Sequence, residues 1–80
     1  MNKEQINDRI ARLCRSKERA EKNLNSAFQE VKRTVENYNP EFSDSLLMVL
    51  GNKISRVDEY RAMIASLDAQ IELLEELLEE

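Results

Sequence analysis

Between Asn2 and Tyr38 the apolar residues recur mostly at spacings of three and four: Ile6, Ile10, Leu13, Ala20, Leu24, Ala27, Val31 and Tyr38. Neither Gly nor Pro interrupts them. That spacing keeps one stripe of a helix apolar, and its seven-residue repeat is that of a helix packed lengthwise against another. In the heptad abcdefg, one register puts Ile6, Leu13, Ala20, Ala27 and Thr34 at d. Ile10, Lys17, Leu24, Val31 and Tyr38 then fall at a. At about 1.5 Å per residue such a helix is roughly 55 Å long. It ends at Asn37-Tyr38-Asn39-Pro40, because a residue before proline is pushed out of helical geometry. Ser43 is the expected N-cap of the next helix, and Asp44 in its first turn suits the positive helix end.

A second repeat follows from Asp44 to Glu79. Leu50, Val57, Ile64, Ile71 and Leu78 take a, and Leu46, Lys53, Tyr60, Leu67 and Leu74 take d. Gly51 weakens this helix by about 1 kcal/mol relative to Ala. The period continues through it, so it reads as a soft point. The alternative is a chain of three helices with a break at Gly51.

A short connection between two heptad helices favours antiparallel neighbours. In the expected register Leu13 faces Ile71, Ala20 faces Ile64, Leu24 faces Tyr60 and Ala27 faces Val57, so that small residues meet large ones. Glu21 then lies beside Arg61 on one flank and Glu30 beside Arg56 on the other, exposed pairs each contributing about 0–1 kcal/mol. The fold class is therefore all-α: two long antiparallel helices forming a coiled-coil-like helical hairpin. It is one domain over residues 1–80, with helices at about 2–38 and 44–79 and a turn at about 39–43.

The a and d rows are consumed by the seam between the helices, and the e positions line one flank. There the first helix contributes Cys14, Glu21, Phe28 and Val35, and the second contributes Leu47, Ile54, Arg61, Asp68 and Glu75. Near the turn this flank is apolar, and near the open end it is mostly charged. A two-helix seam cannot cover it, so it wants a partner. Phe28, Val35, Leu47, Ile54 and Cys14 are the candidate partner-binding residues, with Phe28 as anchor. The opposite flank is more polar, although Val49, Met63 and Leu77 interrupt it.

Composition narrows the chemistry. The 80 residues include one Gly, one Pro, one Cys and no His or Trp, with a net charge of −4. Without His, and with a single Cys, the usual zinc and di-iron ligand sets cannot be assembled, and one Gly cannot build a phosphate loop. No catalytic residue, metal, cofactor or small-molecule substrate is expected. Glu72, Glu75, Glu76, Glu79 and Glu80 read as a solvated acidic end, and Cys14 as a small apolar residue at a helix edge. Lys17 at a seam position either sets the register or packs its stem while its amine reaches solvent, and the second is the reading adopted. Leu74-Glu75-Glu76-Leu77-Leu78 matches a groove-docking pattern that any leucine-rich heptad also produces.

Residues 1–40 carry nine Lys/Arg and six Asp/Glu, and residues 41–80 carry three and ten. An RNA-binding dimer using Arg9, Arg12, Arg15, Arg19 and Lys22 is disfavoured, because the acidic second helix would lie beside that stretch. No apolar run is long enough to span a membrane, and the start lacks a secretory-type apolar run. A cytoplasmic location is expected.

Leu24-Asn25-Ser26-Ala27-Phe28, then Val31-Lys32-Arg33, then Pro40-Glu41-Phe42 give the stretch from Leu24 to Leu67 a likeness. It resembles the small hairpin co-chaperones of bacterial type III secretion needle subunits. The likeness covers about half the chain, and the acidic tail from Glu72 to Glu80 departs from it. It implies pairing with a helical-repeat chaperone that keeps the needle subunit unpolymerised in the cytoplasm, and it transfers no site residue. The expected function is a non-enzymatic protein–protein interaction module, a small chaperone or adaptor that binds a helical partner. The alternative is a homodimeric four-helix-bundle regulator or inhibitor.

Overall fold

The computed structural model describes the backbone of residues 1–37 and 43–80, and the side chains of residues 1–37 and 46–80. Helix α1 spans Lys3–Glu36 and α2 spans Ser43–Glu79, and the two pack along their length as an antiparallel, all-helical hairpin 61 Å long and 14 Å wide. Among the described residues there is no strand.

The start of α1 carries a device that the apolar spacing did not reveal. The Asn2 side chain accepts a hydrogen bond from the Gln5 backbone N–H at 2.8 Å, and the Gln5 side chain accepts one from the Asn2 N–H at 3.2 Å. This capping box satisfies two donors that a helix start otherwise leaves unpaired. At the other end the Asn37 N–H donates to the Arg33 carbonyl at 3.0 Å. Thus α1 ends at Glu36, two residues before the expected Tyr38. The expected turn, the seam place of Tyr38 and the role of Pro40 lie outside the described residues, as does the Ser43 side chain as a cap. Helix α2 runs unbroken through Gly51, so the three-helix alternative is not the fold. A Cβ at Gly51 would meet nothing within 4 Å, so no neighbour demands a glycine there.

Burial follows the heptad. Wherever a side chain is described, every a and d position from Ile6 to Thr34 and from Leu46 to Leu78 is buried or half-buried. All other described positions are exposed except the half-buried Ser16. Among the described residues the most buried are Ile6, Ala20, Ala27, Thr34 and Val57, and no large side chain is fully buried. Ala20, Ile6, Val57 and Ala27 sit deepest, while Ile64, which the register sets opposite Ala20, stays partly open. Two helices alone leave most of the larger seam residues half-covered.

Among the described residues two polar contacts cross the seam. The Lys17 Nζ lies 2.6 Å from an Asp68 carboxylate oxygen, next to the Leu67 that the register sets opposite Lys17. The Lys53 Nζ donates to the Thr34 hydroxyl at 2.9 Å, about one turn from its level. The same hydroxyl donates to the Glu30 carbonyl at 2.9 Å, so the buried Thr34 is satisfied in both directions. The expected ion pairs Glu21–Arg61 and Glu30–Arg56 do not form. Among the described residues Glu21 lies 3.9 Å from Lys17 instead, while Glu30 and Arg56 only border the same groove. A lysine leaving the seam reaches these carboxylates more easily than an arginine that starts outside it.

Candidate protein-docking flank

The heptad sets the e positions of both helices along one edge of the seam, and the contacts of Lys17 bear this out. Its amine emerges between Glu21 and Asp68, both e residues, one from each helix. The g residues share the opposite edge, where Glu30, Val49 and Arg56 line a groove with Asn52 and Lys53.

Within the e flank, Phe28, Val35, Leu47 and Ile54 are 46%, 55%, 57% and 45% exposed. In the register of the seam they alternate between the helices as Ile54 beside Phe28 and Leu47 beside Val35. Four half-open apolar side chains therefore form one patch on the turn-side half of the hairpin. About half of each side chain's surface is open to water.

The patch passes directly into charge. The next rungs are Glu21 with Arg61, then Lys17 with Asp68. The hydrogen bond and the charge of Asp68 hold the Lys17 ammonium above its ordinary value of 10.5, with Glu21 adding a smaller push in the same direction. The stem of Lys17 lies in the seam and its amine sits at the flank, so the residue both snorkels and marks the register.

Cys14, the fifth expected residue, is exposed and free but does not join the patch. Fourteen residues of helix, about 21 Å, separate it from Phe28, and the charged rungs lie between them. It therefore leaves the candidate surface. Val49, Met63 and Leu77 are exposed on the g flank, where they were expected, whereas Met48 and Leu73, exposed on the outer side of α2, were missed. The signal was the run Leu46-Leu47-Met48-Val49-Leu50, five consecutive apolar residues that no single helix face can hide.

The remaining chemistry is sparse. Arg9, Arg12, Arg15, Arg19 and Lys22 are exposed on α1, on sides other than the e flank. The acidic end of α2 is exposed, and among the described residues no group of three or more His, Cys, Asp or Glu side chains is placed to hold a metal ion. Leu74 and Leu78 are half-buried in the seam, so the leucine motif there has only Leu77 to offer. Among the described residues, no helix is long and apolar enough to cross a membrane. No family model matches the chain, and neither a curated protein nor a solved structure matches it.

Proposed function

We propose that this chain is a non-enzymatic protein–protein interaction module that docks a helical partner on the e flank, in the manner of a small cytoplasmic chaperone or adaptor. The observation that carries the reading is the patch of Phe28, Ile54, Val35 and Leu47, each about half open on one face of a hairpin with no fully buried large side chain. Apolar surface gathered on one face beside a charged zone is what a docking site needs: the first supplies affinity and the second sets orientation. A helix pair presents a long, shallow groove between its e rows, and a helix with its own apolar stripe is the shape that fills it.

Phe28 is the anchor, because large aromatic side chains in desolvated pockets dominate binding. The test compares Phe28→Asp with Leu24→Asp. Binding is read as self-association by sedimentation and as recovery of a partner from the native host by co-purification and mass spectrometry. The Phe28 variant should keep its helicity and lose at least about 2 kcal/mol of binding, roughly thirtyfold. The Leu24 variant, altered at a seam position, should unfold by circular dichroism. A Phe28 variant that binds normally, or that unfolds like the Leu24 variant, shows that the flank is not the working surface.

A further inference from the structure

We infer that the occupant of the e flank is a second copy of this chain, docked turn over turn so that α1 of each copy lies over α2 of the other. The inference rests on the reading of this flank as the working surface, and it names the partner.

Size comes first. The flank presents an outline 61 Å by 14 Å, roughly 850 Å² per copy. A stable standard interface takes about 800 Å² from each partner, so one flank on another is sufficient.

Symmetry then leaves few choices. Two copies facing flank to flank about a twofold axis can be related in two ways. An axis across the hairpin sets the turn of one copy over the open end of the other, with α1 over α1 and α2 over α2. An axis along the hairpin sets turn over turn, with each α1 over the partner's α2 and all neighbouring helices antiparallel.

Both patterns on the flank choose the second arrangement. The charges at the middle of the flank are Glu21 on α1 and Arg61 on α2, and the other charged e residues, Asp68 beside the Lys17 amine and Glu75, lie toward the open end. Turn over turn, opposite charges face each other, whereas turn over open end stacks like on like. The apolar patch lies only on the turn-side half. Turn over turn lays patch on patch, with Phe28 over Ile54 and Val35 over Leu47 of the other copy. Turn over open end would lay it on the charged rungs and strand desolvated charge against hydrocarbon.

The docked arrangement also pairs Arg61, which makes no ion pair among the described residues. Glu21 and Arg61 share a level on opposite helices, so turn over turn lays Glu21 of each copy over Arg61 of the other, twice per dimer. In this arrangement Arg61 serves the contact between copies, and Glu21 serves it in addition to its 3.9 Å contact with Lys17.

The experiment is a charge swap read by sedimentation equilibrium on the full chain. E21R alone and R61E alone each place like charges opposite each other twice in the dimer. Each should weaken self-association at least about tenfold. An equimolar mixture of the two restores both opposite-charge contacts, but only between unlike chains, and should dimerise as well as the wild type. The mixture also controls for folding, because its chains are the same two that failed alone. A dimer that sets α1 over α1 faces Glu21 with Glu21 and Arg61 with Arg61, so there the mixture would dimerise more tightly than the wild type rather than equally well. A mixture no better than its components overturns the turn-over-turn dimer, and a wild type that stays monomeric at several hundred micromolar overturns the second copy as occupant. Phe28→Asp separates the two levels of the argument. If it abolishes a dimer that is indifferent to the swap, the pairing is wrong but the flank stands. If it leaves the dimer intact, the flank reading fails as well.

Discussion

A lysine at a seam position must find water or a carboxylate, and Lys17 finds Asp68 at 2.6 Å. The sequence showed that its amine would leave the seam but not where it would go, because several acids lie within reach of a flexible stem. The contact has a pH signature. Asp68 raises the Lys17 value above 10.5 in the folded chain, so this stabilisation is complete below 10.5 and is lost as pH rises through the folded value. Urea midpoints of the wild type and Lys17→Met, followed from about pH 8 to pH 12, should therefore converge at the alkaline end. Parallel curves would mean that the contact is not formed in solution. Gly51 is the opposite case, a residue whose peculiarity has no use in the fold. It is exposed, lies inside α2, and has open space where a Cβ would stand. Gly51→Ala should stabilise the chain by about 0.5–1 kcal/mol, read as a higher urea midpoint at unchanged slope. A loss of stability would place a neighbour there.

The interiors of the two helices were legible and their ends were not. The a and d rows derived from spacing are the buried and half-buried rows of the structure, because a lengthwise seam has no other way to shield its apolar atoms. Helix ends depend on single hydrogen bonds that spacing does not record. Asn2 and Gln5 form a capping box that the Asn-x-x-Gln pattern before Ile6 could have disclosed, had the start been read for caps as well as for period. Asn2→Ala should cost about 1 kcal/mol and speed hydrogen exchange in the first turn of α1. Unchanged exchange would show that the packing of Ile6 alone holds that end. The flanks were half legible. The patch of Phe28, Val35, Leu47 and Ile54 emerged from the e positions as expected, because exposure there follows from geometry. Cys14 was grouped with them by row alone, and rows say nothing about distance along a helix. The likeness to needle-subunit co-chaperones leaned on Pro40-Glu41-Phe42, which lies outside the described residues, and on heptad residues that any hairpin uses.

For the whole molecule, the ratio of surface to mass is what favours the proposed partner. The protein exposes 6351 Å² at a mass of 9.4 kDa, where a compact monomer exposes about 5,000 Å². Its radius of gyration is 18.1 Å, against about 12 Å for a globule of this length. Facing a second copy puts apolar surface back out of water, and the folded form then becomes a function of concentration. Where pairing stabilises a hairpin that also folds alone, mass action raises the melting temperature by at most an amount set by the unfolding enthalpy. At about 0.7 kcal/mol per residue, two chains together absorb about 110 kcal/mol near 60 °C. The melting temperature should then rise by up to about 5 °C for each tenfold increase in chain concentration. Circular dichroism melts over a hundredfold range of concentration measure this directly. A hairpin that does not pair gives one melting temperature throughout, so a flat series would show that the seam alone sustains the fold. Phe28→Asp carries the same argument further. If the patch supplies the coupling, the variant should melt lower than the wild type, and its melting temperature should no longer move with concentration.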